Sequence, residues 1–400
     1  MELNNPIQIT LPASKSISNR WLVMDFISAN GIRIKNLSSA DDTQLLKRLL
    51  RQLKLGRRHT FECHDAGAVA RFITPLLAFT PGTHTITASE RLCERPMLPL
   101  INALRSVGCQ IKCLEKEGYL PLKIFGVVPM VSRMTVDGSQ SSQFVSALLM
   151  AGGMLPHGMA VEVTGLKASE PFIQMTLDVM TEATVNWSYK GVPPAYHIEH
   201  SMPRIDMVSI EKDWTSASYF YNVAAFDQRH VIRMTGLSKE SSQGDSIIKE
   251  LYQNFGVTTQ QNDQNVEIHG GGNVCEQFEY DFLGTPDLFP SIAVACAALG
   301  VDARLRGITN LRYKESDRAN AVVEELQAMG CTIERSEDEI HLLPSKLDPI
   351  HPINGHNDHR IVMAFATLRH RFPAIEIKDQ QVVSKSFPNF WDMMSRIPLQ

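Results

Sequence analysis

The sequence has no CxxC pair, and its seven cysteines (63, 93, 109, 113, 275, 296 and 331) are odd in number. Both facts argue against a disulfide framework and against a structural zinc site. No GxxxxGK[ST] stretch is present, which leaves an ordinary P-loop nucleotide site without support. His269–Gly272 holds a run of glycines but no GxGxxG after a strand, so a dinucleotide fold lacks its fingerprint. None of the thirteen histidines falls into HExxH or a similar ligand spacing, and no metal is expected. Long hydrophobic runs are missing too: Ser291–Val301 (SIAVACAALGV) is about half the roughly 20 residues of a membrane span. The opening MELNNPIQITLPASKS shows neither the charged leader nor the apolar core of a secretion signal, so the expected location is the cytoplasm. Neither sign of charge dominates. Lys plus Arg number 39 against 43 Asp plus Glu, a net charge of −4, which argues against nucleic acid as the main partner but permits a local basic pocket.

What remains is an ordinary globular balance, with 44% hydrophobic and 20% charged residues over 400 positions. At about 150 residues per domain, two or three domains are expected. Three stretches look alike: Ile101–Ile111 (INALRSVGCQI), Ile248–Thr258 (IKELYQNFGVT) and Val323–Ile333 (VEELQAMGCTI). Each is a helical pattern closed by a glycine, the usual residue where a helix stops with positive φ. Each then runs into strand-like alternation, over Lys112–Ile124, Thr259–Ile268 and Glu334–Leu343. A fainter copy, Met175–Trp187, puts Thr184 where the others have Gly108, Gly256 and Gly330. The interval is about 75 residues, the mark of one α/β module used several times. A domain boundary is expected near Pro203–Trp214, with a new helix over Thr215–Phe226.

Chemistry collects at the expected helix starts, where unpaired backbone N–H groups and the helix dipole receive anions. In LPASKSISNR (Leu11–Arg20), Ser14, Ser16 and Ser18 offer hydroxyls while Lys15 and Arg20 supply charge; a capped surface helix with solvated bases reads equally well. In VDGSQSSQFVSALLM (Val136–Met150), capping accounts for one serine but not for Ser139, Ser141 and Ser142 together with Gln143, so a phosphate-sized anion is the sharper reading. DAGAVARF (Asp65–Phe72) sets Gly67 at a helix start, where a missing Cβ lets a ligand approach, with Arg71 one turn along. KESDR (Lys314–Arg318) reads as a salt-bridged turn or, from its place at a repeat's helix start, as a functional one. NDHR (Asn357–Arg360) is either a capping histidine or a second anion receptor. Asp287 and Glu315 are the candidate acid/base carboxylates, and Lys15, Arg20, Arg95, Lys314, Arg318, Arg360 and Lys385 form a scattered cationic set.

Taken in order, these motifs resemble the EPSP synthases, the 3-phosphoshikimate 1-carboxyvinyltransferases of the enolpyruvyltransferase family. The series runs LPASKSISNR, DAGAVARF, ERP (Glu94–Pro96), DGSQSSQF, SEPF (Ser169–Phe172), SASYF (Ser216–Phe220), QGD (Gln243–Asp245), PD (Pro286–Asp287), NLRYKESDR, NDHR and SKSFP. Each piece is modest, but eleven in the family's order are specific. The resemblance implies an α/β fold of two globular domains, each of three βαβαββ repeats, forming an inside-out α/β barrel. The chain would cross over near Ala13 and near Lys212, giving domains of 14–212 and 213–400, the second completed by residues 1–13, with the active site in the cleft between them. The implied reaction transfers the enolpyruvyl group of phosphoenolpyruvate to the 5-hydroxyl of shikimate 3-phosphate, in aromatic amino-acid biosynthesis. By position, Lys15, Ser16, Arg20, Ser141, Ser142, Gln143, Ser169, Asp287, Asn310 and Lys314 would hold shikimate 3-phosphate. Lys15, Gly67, Arg95, Gln143, Arg318, His359, Arg360 and Lys385 would hold phosphoenolpyruvate. Asp287, Glu315, Lys15 and Lys385 would carry the catalysis, without metal or organic cofactor. The expected partners are those two small molecules, with neither nucleic acid nor membrane, and a monomer is the expected state. Glyphosate is the family's expected competitor.

Five departures from the family pattern stand out. Asp65 and Ala68 replace the usual Asn and Thr around Gly67, and Phe72 stands where proline is common; these bear on glyphosate. Glu170 and Phe172 replace a basic residue and a tyrosine, and one hydrogen bond lost to a charged ligand would weaken shikimate 3-phosphate binding by about 1.5–3 kcal/mol. The rivals are the related UDP-N-acetylglucosamine enolpyruvyltransferase, whose reactive cysteine would be expected near Asp65–Glu94, where Cys93 sits, and a binding-only relative that has lost catalysis. SQSSQF, KESDR and NDHR match the shikimate branch better, and Cys93 reads as a small buried residue.

Overall fold

The computed structural model describes residues 5–56, 59–165, 169–263 and 265–399. The chain divides into two compact units, one of Lys15–Ile210 and the other of Met1–Ser14 together with Glu211–Gln400.

One module recurs through both units. In the first unit, strands Thr60–Glu62, Gly82–Thr87, Gln110–Cys113 and Leu122–Gly126 alternate with helices Gly67–Ala78 and Leu98–Ser106. The sheet order is first, second, fourth, third. The first pair is parallel (Phe61 opposite Ile86) and the others antiparallel (Ile86 opposite Leu122, Ile111 opposite Ile124). The next module repeats that order with strands Arg133–Asp137, Met159–Thr164, Trp187–Lys190 and Ala195–Ile198 around helices Ser142–Gly152 and Glu170–Glu182. The second unit has the same four-stranded order in Gln277–Asp281, Asp302–Arg306, Thr332–Arg335 and Glu339–Leu343. The alternation that makes these strands is visible in Arg133–Asp137, where Met134 and Val136 are buried and Arg133, Thr135 and Asp137 face water. Helices take the inner layer. Trp214–Phe226 is buried on all sides, as is Phe289–Leu299 apart from its last residue, which accounts for the apolar run at Ser291–Val301.

The remaining modules show how the chain passes between units. Ile7–Ile9 leads in sequence into helix Lys15–Ile27, yet it pairs in parallel with Val231–Thr235, supplying the first strand of a sheet completed by Thr258–Gln261 and Asn265–His269. Met207–Ser209 leads into helix Trp214–Phe226, yet it pairs with Arg33–Lys35. Each of these strands thus serves the unit its own sequence neighbour leaves. The two connecting segments run antiparallel, with an Ala13–Lys212 bridge, Ser14 N–H donating to Glu211 O at 2.9 Å and Asp213 N–H to Pro12 O at 3.0 Å. The third module of each unit is reduced. In the first it keeps only the short Arg33–Lys35/Met207–Ser209 pair, with helices Lys15–Ile27 and Asp41–Leu55; in the second it keeps a single Ile353–Ile377 bridge beside helix His359–Ala366.

The repeat positions behave alike. Gly108, Gly256 and Gly330 have φ of +95°, +74° and +91°, and Thr184 adopts +62° at the matching place. The stretch at Ile248 departs from the expected long helix: only Ile248–Leu251 is α-helical, and Tyr252–Asn254 tightens into a 3₁₀ turn. There the Asn254 amide donates to Leu251 O at 3.0 Å, satisfying a carbonyl that a continuing helix would use. Thr184 is a β-branched residue in a region that costs about 1–2 kcal/mol, and its hydroxyl accepts the Arg204 N–H at 3.2 Å. Thr184→Asn keeps a side-chain acceptor on a residue that tolerates this backbone. It is expected to stabilise the chain by about 0.5–1 kcal/mol in chemical denaturation, whereas Gly330→Thr is expected to destabilise it by about 1–2 kcal/mol.

Candidate active site

In the unit Lys15–Ile210, four helix starts carry the expected residues. Lys15 and Ser16 open helix Lys15–Ile27, and the Lys15 ammonium sits 3.4 Å from Asp42 Oδ2. Arg20, one turn along, is only 3% exposed. Its guanidinium donates to Thr176 Oγ1 (2.7 Å), Ser16 O (2.8 Å), Phe172 O (2.9 Å) and Ser146 Oγ (3.4 Å), and it lies 5.5 Å from the centre of the Phe72 ring. All these partners are neutral. Among the described residues Arg20 has no carboxylate partner, so burial is unopposed and lowers its pKa. A buried cation without a counter-charge is costly unless a ligand supplies one.

Gly67 begins helix Gly67–Ala78. A Cβ there would stand 2.5 Å from Arg71 Nη1 and 2.6 Å from Arg95 Nη1, so glycine is what lets two buried guanidinium groups lie against the helix start. Arg71 also donates to Pro96 O at 3.3 Å and faces the Phe144 ring. Asp65, the unusual acid before this turn, accepts a hydrogen bond from Ser89. Ser141 caps helix Ser142–Gly152 by accepting the Gln143 N–H at 3.3 Å; Ser142 is buried and Gln143 half-buried. Ser169 precedes helix Glu170–Glu182 with φ of +56°, buried and without a capping bond.

In the second unit the charged residues form a compact cluster. Arg318, 0% exposed, is shared by three carboxylates: Asp358 Oδ2 (2.9 Å), Asp287 Oδ1 (2.9 Å) and Glu315 Oε2 (2.8 Å). Arg360 donates to the other oxygen of Asp287 at 2.6 Å. Asp358 caps helix His359–Ala366 through Arg360 N–H at 3.0 Å and also accepts from Ser316 at 3.2 Å. Burial by itself would raise Asp287's pKa, but Arg360, Lys314 and Arg318 outweigh it and hold the carboxyl well below its usual range. Asp245 goes the other way. It is buried, hydrogen-bonded to Thr215, and pushed up to about 7, first by desolvation and then by the charge of Asp287.

Asp287, Glu315, Arg318 and Arg360 therefore meet directly, with Lys314 close enough to act on Asp287. His359 is buried at its helix start, its Nδ1 3.7 Å from Asp358. Asn310 lies in the turn Thr309–Tyr313, and Lys385 ends the turn Gln380–Lys385. Sequence reasoning passed over Asp358, Asp245 and Thr176 as functional groups. Asp358 left a signal as an N-cap acid before an apolar run and Asp245 as the acid of the QGD stretch, whereas Thr176 left none. Among the described residues no group of three or more His, Cys, Asp or Glu side chains is arranged to hold a metal, and no helix is long and apolar enough to cross a membrane. Cys93 is partly rather than fully buried, and desolvation followed by the charge of Glu115 raises its thiol pKa, the opposite of what a reactive cysteine needs.

A family model described as EPSP synthase (3-phosphoshikimate 1-carboxyvinyltransferase) matches residues 55–394. A protein of Bacteroides fragilis named 3-phosphoshikimate 1-carboxyvinyltransferase is 37% identical over 392 residues, covering 96% of this chain and 93% of its own. The chain belongs to the EPSP synthase family. A namesake from Methanospirillum hungatei is 31% identical over 413 residues, covering 96% of this chain and 94% of its own. Two solved structures share the fold. The EPSP synthase of Acinetobacter baumannii has a TM-score of 0.73 at 21% identity, over 100% of this chain and 97% of its own. The enolpyruvyl transferase NikO of Streptomyces tendae has 0.74 at 14% identity, over 100% and 96%. The α/β enolpyruvyltransferase fold expected from the motifs is thus the fold observed.

Within this EPSP synthase-family site, Asp245 has the sharpest pH signature. Its folded-state pKa lies above the ordinary value, so between about pH 4 and 7 the folded chain keeps a proton that the unfolded chain has lost, and rising pH removes stability. Asp245→Asn abolishes that dependence. Its stability relative to the parent chain is expected to improve from pH 5 to about pH 7 and to level off above that in urea denaturation; a constant difference from pH 5 to pH 7 would refute the raised pKa.

Proposed function

We propose that this chain transfers the enolpyruvyl group of phosphoenolpyruvate to the 5-hydroxyl of shikimate 3-phosphate, releasing phosphate. Family membership supports the reaction. The observation that carries it physically is the state of the buried arginines: among the described residues Arg20 has no counter-charge, and Arg318 and Arg360 are buried against carboxylates that an incoming anion can displace. Lys15, Ser16, Arg20, Ser141, Ser142, Gln143, Ser169, Asp287, Asn310 and Lys314 take shikimate 3-phosphate. Lys15, Gly67, Arg95, Gln143, Arg318, His359, Arg360 and Lys385 take phosphoenolpyruvate.

The 5-hydroxyl oxygen attacks C2 of the enol while C3 gains a proton, giving a tetrahedral intermediate. That intermediate then loses the C3 proton and phosphate, restoring the enol on the new ether. Each half moves protons, and microscopic reversibility assigns the same groups to both. Asp287 serves the 5-hydroxyl and Glu315 serves C3, with Lys15 and Lys385 steering charge. As long as two arginines hold it, Asp287 is a weak base. A phosphoenolpyruvate that takes Arg360 and Arg318 releases its carboxylate and lifts its pKa, so the base is activated by the substrate it acts beside. Phosphate is already an activated leaving group, so no cofactor is needed. The same reading has the chain act as a monomer in the cytoplasm.

Phosphate release is expected only when both substrates are present, and to vanish when either is omitted; turnover with UDP-N-acetylglucosamine, or ligand uptake without release, would overturn the assignment. Asp287→Asn separates the two roles of that residue. It is expected to lower kcat about 100-fold or more, because a proton carrier is lost. The KM for phosphoenolpyruvate should not rise, because the residue competing for Arg360 and Arg318 has lost its charge.

A further inference from the structure

A cavity of about 340 Å³ lies in the reduced module of the first unit, between helices Lys15–Ile27 and Asp41–Leu55 and strand Arg33–Lys35. Its walls are Leu22, Phe26, Ile34, Leu37 and Leu50, of which Phe26, Ile34 and Leu37 are half-exposed. The reason for the opening is topological. The full modules bring four strands to their sheets, whereas here two three-residue strands leave the helix pair partly uncovered. The rim is cationic: Lys47, Arg51 and Lys54 stand along one edge of helix Asp41–Leu55 at the spacing that shares a helix face. All three are exposed, and among the described residues none has a hydrogen-bond or ion-pair partner. The one acid in the lining, Asp25, already accepts the Ile32 N–H at 2.7 Å through Oδ1. An apolar hollow of ligand size with a few convergent polar groups of one sign is the usual form of a small-molecule site.

We propose that this hollow binds a small amphipathic anion, a carboxylate with an apolar body, its chain against Leu22, Phe26, Ile34 and Leu50 and its head on Lys47, Arg51 and Lys54. It is separate from the residues assigned to the reaction: Asp25 lies about 15 Å along the helix from Lys15 at 1.5 Å per residue. The two helices meet at their other ends through the Lys15–Asp42 pair.

The probe is 4-phenylbutyrate, followed by methyl NMR on the full chain, with neutral 4-phenylbutyramide as control. Saturable shifts confined to Leu22, Ile34, Leu37 and Leu50 are expected, with the amide at least tenfold weaker. The double variant K47E/R51E should bind the acid at least tenfold more weakly while keeping phosphate release unchanged. L37W, which fills the hollow but leaves the rim charges in place, should bind neither probe. No saturable binding, equal affinity for acid and amide, or undiminished binding by either variant would overturn the proposal. So would shifts at the same methyls that grow with protein concentration alone, since they would assign the hollow to a second copy of the chain.

Discussion

A guanidinium sealed from water is costly until a counter-charge is supplied, and the protein itself supplies Arg318 with three. Asp358, Asp287 and Glu315 come from three different stretches of one unit, so the single requirement to neutralise Arg318 fixes three segments relative to one another. Asp358 also caps the helix that presents His359 and Arg360, which ties helix geometry to charge pairing. Asp245 lies beside this cluster, and burial first, then the charge of Asp287, makes it hold its proton to about pH 7.

The other unit solves the opposite problem. Arg20 reaches hydroxyls and carbonyls from helix Ser142–Gly152 and helix Glu170–Glu182, and its plane lies against Phe72 of helix Gly67–Ala78. One cation thereby connects the helices of three modules without being neutralised by any of them. Phe172, a departure from the family's tyrosine, contributes through its backbone carbonyl, a contact that is indifferent to the side-chain change. Phe72, a departure from proline, supplies the ring beneath Arg20. The substitutions therefore fall on residues that shape the cation's surroundings and leave the cation itself in place.

Repetition explains why such sites recur at helix starts. In the full modules at 60–126, 133–198 and 277–343 the first strand is followed by a helix, with Gly67, Ser141 and Asp287 in the connection or at the helix start, and the first strand of two modules is handed across between units, so the connecting segments at 12–14 and 211–213 lie side by side. In the reduced module of the first unit a helix pair survives with less sheet, and apolar side chains that would be covered elsewhere line a hollow instead.

Local chemistry was legible in the chain before it folded. The α/β class, the positive-φ stops at Gly108, Gly256 and Gly330 with Thr184 standing in, the Ser141 cap and the buried helix behind the apolar run at Ser291–Val301 are each specified within a few residues. The shortened helix at Ile248 was not legible, because a competing side-chain bond from Asn254 decided it. Nor could spacing show which acid meets which arginine: Asp287 and Arg318 are 31 residues apart, Arg318 and Asp358 are 40, and Asp287 and Arg360 are 73. Residue type sets whether a group is able to carry charge, but burial and the distance to its partners set how strongly it holds a proton. Those two quantities exist only once distant helices have packed, which is why the depressed Asp287, the raised Asp245 and the uncompensated Arg20 belong to the tertiary structure alone.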